Sequence, residues 1–145
     1  MTPSSRWLLL AVGLASAPPA LAHGPDGHAP ADRPYVPSTV IPETLPQVVV
    51  ALRSAHASAL AALTAGKLMD AAPHAQSLID LATAVPTKLS GLTAEQQALG
   101  STRSQSLRLQ AETARMKVWT SDPAALRIAL DVIATDITAL EALKK

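Results

Sequence analysis

From Glu43 to the end of the chain, apolar residues recur three and four positions apart, the spacing that places them along one side of an α-helix. A first helix is predicted over roughly Glu43 to Ala65, with Leu45, Val49, Leu52, His56, Ala59 and Leu63 along its stripe. Gly66 follows as a left-handed stop. The second runs roughly from Leu68 to Val85 on a stripe of Leu68, Ala71, Ala75, Leu78, Ala82 and Val85. Pro73 lies near its first turn and Pro86 ends it. The third opens at Thr93, where Thr93 and Gln96 match a capping box, and continues to about Trp119. Two faces of this helix compete: Leu99, Leu109 and Met116 against Leu107, Ala111, Ala114 and Val118. Gly100 inside it marks either a kink or a close crossing. A fourth begins at Asp122-Pro123, an N-cap followed by proline at the first helical position, and carries Leu126, Leu130, Ile133, Ile137 and Leu140.

Four helices of about 20 residues joined by short loops predict an all-α fold, an antiparallel up-down-up-down four-helix bundle over residues 43–145. Nothing reads as strand. With many alanines and no phenylalanine, the core allows close helix approach and argues against a roomy cofactor pocket.

The pattern changes upstream. Residues 23–42 hold Pro25, Pro30, Pro34, Pro37 and Pro42 with little apolar content. Such a segment buries too little to offset its ordering entropy, so a flexible, disordered Pro/His arm is expected. Residues 1–22 read as a signal peptide: Arg6, an apolar run from Trp7 to Ala17, Pro18-Pro19, and the small-x-small end Ala20-Leu21-Ala22. The run is too short to cross a bilayer, which takes about 20 residues. Cleavage after Ala22 and a periplasmic location are expected, with no membrane span afterwards.

Loss of Arg6 from the 12 basic residues leaves the expected mature chain balanced against its 11 acidic ones. That balance gives no footprint for nucleic acid and no polybasic patch for anionic lipid. Without cysteine there is neither disulfide nor thiol chemistry. Glu43, Asp70, Asp80, Glu95, Glu112, Asp131, Asp136 and Glu141 are scattered singly and read as solvated faces. The sequence has no nucleophile elbow and no phosphate-binding glycine loop, so a non-catalytic protein is expected.

In size, compartment and topology the chain resembles the four-helix cytochromes, and Ala84-Val85-Pro86-Thr87-Lys88-Leu89 is similar to the end of their second helix. The resemblance implies the fold and no haem: the attachment motif Cys-x-x-Cys-His is absent, and the fourth helix has no histidine.

The four histidines carry the remaining chemistry. Cleavage after Ala22 would put His23 at the N-terminus of the run HGPDGH. Its amino group and imidazole, with the His28 imidazole and an Asp26 oxygen, form the nitrogen-rich set that copper(II) favours. This opening is similar to the mature N-termini of exported copper-resistance proteins and of adaptor subunits of heavy-metal efflux pumps. Within the bundle, His56 and His74 fall about 15 and 12 Å from the Gly66 turn at a rise of ~1.5 Å per residue, nearly level on adjacent helices. Asp70, four residues before His74, is placed to orient its ring. His56, His74 and Asp70 are therefore a second candidate metal set, with packing roles for both histidines as the alternative. The expected function is periplasmic metal handling, copper first and zinc or nickel next. The rival is a metal-free structural or protein-interaction bundle contacting a cell-envelope partner.

Overall fold

The structure, a computed structural model, describes residues 38–143, all within the compact unit Tyr35–Lys145. The expected signal peptide and most of the expected arm lie outside the described residues. Four helices, α1 (Leu45–Thr64), α2 (Ala71–Ala84), α3 (Ala94–Trp119) and α4 (Pro123–Glu141), form an antiparallel bundle. In it α1 packs on α2 and α4, and α3 closes the ring between those two. No strand occurs among the described residues, and no helix there is long and apolar enough to cross a membrane.

The helix ends follow from the sequence. Gly66 (φ 70°) receives the end of α1: Gly66 N–H donates to Leu63 O at 3.0 Å and Lys67 N–H to Ala62 O at 2.9 Å. These two bonds make a Schellman turn. The same pair closes α3, from Ser121 N–H to Val118 O and from Asp122 N–H to Lys117 O. Here Ser121 takes the left-handed position at φ 54°, at a cost of roughly 1 kcal/mol for a residue with a Cβ. At the start of α3, Gln96 N–H donates to Thr93 Oγ1 at 3.2 Å and Thr93 N–H to Gln96 Oε1 at 3.0 Å. At the start of α4, Ala125 N–H donates to Asp122 Oδ1 at 3.0 Å.

The connection between α1 and α2, and the exit from α2, differ from expectation. Leu68–Asp70 forms a 3-10 turn before α2, and Val85–Lys88 forms another after it. Pro86 therefore tightens the chain instead of stopping it, because a proline at the second position of such a turn has no bond to lose.

The core also corrects the expected stripes. On α1 the buried residues are Leu45, Val48, Val49, Leu52, Ala55, Ala59 and Ala62. His56 and Leu63 are half-buried at the edge of that face, since alanines one residue earlier take the places closest to the neighbouring helices. On α3 the Leu107, Ala111, Ala114 and Val118 set wins, extended upward by Gly100 and Ser104. Gly100 marks a close crossing: a Cβ there would come within 2.8 Å of one Leu89 methyl and 3.0 Å of a Leu143 methyl. The stripes of α2 and α4 pack as expected, apart from half-buried Leu68.

Two acids expected on solvated faces are instead inside: Asp80 and Asp136 are each 1% exposed. The expected boundary at residue 43 also moves upstream. Ser38 and Thr39 are hydrogen-bonded to α2, and Ile41 packs against the core.

Candidate functional site

Asp80 lies two residues from both Leu78 and Ala82, about 200° round the helix from each, on the outer side of α2. It is buried because the segment leading into α1 covers it. Asp80 Oδ2 accepts from Ser38 N–H at 2.7 Å, Ser38 Oγ at 2.7 Å and Thr39 N–H at 3.0 Å. Oδ1 accepts from Gln76 Nε2 at 2.8 Å, and Arg115 on α3 donates to Gln76 Oε1 at 2.7 Å. Thr39 Oγ1 adds a bond to Ser77 Oγ at 2.9 Å. A desolvated carboxylate is tolerated when donors converge on it. Here those donors tie the entering segment, α2 and α3 together.

Asp136 is the second such group. It sits between Ile133 and Leu140 at the three-then-four spacing of the α4 core. Ser106 Oγ donates to its Oδ2 at 2.6 Å, and Arg103 Nη1 reaches its Oδ1 at 3.3 Å. Arg103 Nε is buried without a hydrogen-bond partner, while the side chain as a whole is 41% exposed. This pairing fixes the register of α3 against α4.

The internal metal set is not assembled. His56 Nε2 lies 3.0 Å from the Leu130 carbonyl. A carbonyl only accepts, so this nitrogen carries the hydrogen and is occupied against α4. His74 stands half-buried on α2, across the opposite flank of α1. Asp70 is exposed in the turn before α2 and makes no hydrogen bond to His74. Among the described residues, no group of three or more histidine, aspartate or glutamate side chains could hold a metal ion. The direction of the His56 ring was not legible in the sequence. The ring occupies the edge of the α1 face that turns to α4. The other candidate set, His23, Asp26 and His28, lies outside the described residues.

Two surface features remain. An open groove of about 700 Å³ lies where the start of α1 meets the end of α4, floored by Leu45, Val49, Leu92, Leu140 and Leu143. Arg53 and Glu141 pair with each other on its wall. The larger apolar exposure is on the outside of α3 and α4. Leu109, Met116 and Trp119 on α3 are 47%, 55% and 65% exposed, and Ile128 and Val132 on α4 are 66% and 37% exposed. The competing α3 stripe gave the signal for this face, since a helix with two apolar sides can turn only one to its own core.

Asp80→Ala is expected to destabilise the bundle by about 2–3 kcal/mol, the range for removing hydrogen bonds to a buried charged group. The same variant should release the Ser38 and Thr39 amides to rapid hydrogen exchange. Unchanged protection at those two amides would show that the carboxylate does not hold the segment.

No family model matches this chain, and no curated protein or solved structure is significantly similar to it.

Proposed function

We propose that this protein is a non-catalytic interaction bundle of the cell envelope, exported with cleavage after Ala22, that works through the outer face of α3 and α4. The observation that carries the reading is the exposed row of Leu109, Met116 and Trp119 along α3, with Ile128 and Val132 exposed on neighbouring α4. At those exposures Leu109, Met116 and Trp119 present roughly 350 Å² of surface along α3, within the range of the apolar patches that serve as contact sites. The buried polar groups support the same reading, because Asp80 and Asp136 are engaged in holding helices and the entering segment together. A photoreactive residue in place of Thr113, between Leu109 and Met116, should give a discrete adduct in the native host. The same residue in place of Ser54, on the outside of α1, should not. Equal labelling or none from both positions would overturn the reading.

A second reading is favoured by the run HGPDGH directly after Ala20-Leu21-Ala22. In it His23, through its free amino group and ring, captures copper(II) with His28 and Asp26. The intact mass of the exported chain should then begin at His23, and an added N-terminal methionine should weaken copper binding at least tenfold. His56→Ala and His74→Ala should leave it unchanged. Binding should also weaken as pH falls through the amine and imidazole range, near ~8 and ~6.5, because protons compete for the same nitrogens. Copper affinity indifferent to the added methionine would contradict this assignment.

A further inference from the structure

We infer that the groove between the start of α1 and the end of α4 binds a single-chain amphiphile with an anionic head, a fatty carboxylate whose chain lies along the groove and whose carboxylate meets Lys88. The inference goes beyond the interaction reading, since the groove and the exposed row of α3 share no residue.

The sequence leaves apolar surface at this place. Val48, Val49 and Val50 are consecutive, and steps of about 100° carry them round α1, so they cannot all face the core. Val48 and Val49 are buried, while Val50 is 67% exposed and lines the groove beside exposed Pro46. Beneath them lie Leu45, Val49, Leu140 and Leu143. The groove holds about 700 Å³, within the range of small-molecule sites, which are mostly apolar with a few polar groups that set orientation. A chain laid there removes its own methylenes and the exposed valine from water together.

The polar groups choose the head. Arg53 and Glu141 pair with each other. Lys88, half-buried on the lining, makes no ion pair among the described residues. Ser90 lies two residues on, also on the lining, and its hydroxyl makes no hydrogen bond among those residues. An ammonium and a hydroxyl at that spacing can donate to one carboxylate. Glu43, the remaining charge on the lining, precedes α1, where the positive end of the helix already favours a negative charge. In sequence, Leu143 is followed directly by Lys144 and Lys145. Outside the Arg53–Glu141 pair, the charges on or next to the lining are therefore Lys88, Lys144 and Lys145 against Glu43. An anionic head complements that balance and a cationic head does not.

Calorimetric titration of dodecanoate into the chain as its host produces it, stripped of bound lipid on an apolar resin, is the test. One dodecanoate should bind per chain with a dissociation constant below about 100 µM. Octanoate should bind at least tenfold more weakly, because four fewer methylenes leave water. Dodecyltrimethylammonium, with the same chain and the opposite head, should also bind at least tenfold more weakly than dodecanoate. Lys88→Glu should reverse that preference between the two heads. Val50→Glu should weaken dodecanoate at least tenfold. Helical circular dichroism and melting temperature should stay nearly unchanged in both variants, because neither side chain belongs to the core. No saturable dodecanoate binding in this range, equal affinity for the two heads, or binding untouched by both substitutions overturns the proposal.

Discussion

The constraint on which the bundle depends is close approach. Among the described residues, nine of the 26 buried apolar ones are alanine, and phenylalanine is absent from the sequence, so the helices cannot fill a wide interior and must come together across small side chains. Gly100 is one such close approach, with Leu89 and Leu143 occupying the space a Cβ would need. Packing at this distance returns dispersion contacts that the small side chains do not supply by area alone.

Tight packing of similar alanine-rich helices raises a problem of register, since one small residue resembles the next. Asp80 and Asp136 answer it at two interfaces. Asp136 meets Ser106 and Arg103 at a single level of α3 against α4. Asp80 gathers Ser38, Thr39 and Gln76, with Arg115 behind Gln76. A helix slipped by one turn would leave a desolvated carboxylate without its donors, a penalty of several kcal/mol. These groups specify the arrangement more than they add to its stability.

Much of this was legible in the sequence where local rules decide. Gly66, the Thr93–Gln96 box and Asp122-Pro123 fixed helix ends because caps depend on residues a few positions apart. The α2 and α4 stripes were equally clear because their faces are strongly one-sided. The misreadings share a cause. Whether α3 turns Leu107 or Leu109 inward, whether His56 faces α2 or α4, and whether Asp80 meets water depend on neighbours distant in the chain. A signal for Asp80 was present: it interrupts the apolar run Leu78-Ile79-Asp80-Leu81-Ala82, which leaves that turn of α2 no side for solvent. For Asp136 the signal was its place in the core spacing between Ile133 and Leu140. The N-terminal histidines stand as the sequence left them, since they lie outside the described residues.

The exposed apolar row of α3 follows from the same economy of space. Once Leu107, Ala111, Ala114 and Val118 close the core, the second apolar stripe of α3 has only the exterior to face. The most direct measurement of the underlying claim is urea denaturation of Ala111→Leu, at a fully buried alanine of α3. A closely packed interior predicts a loss of about 1–3 kcal/mol with helix content retained, the cost of overfilling a packed core. Stability equal to or above that of the wild type would show slack between the helices and contradict the account.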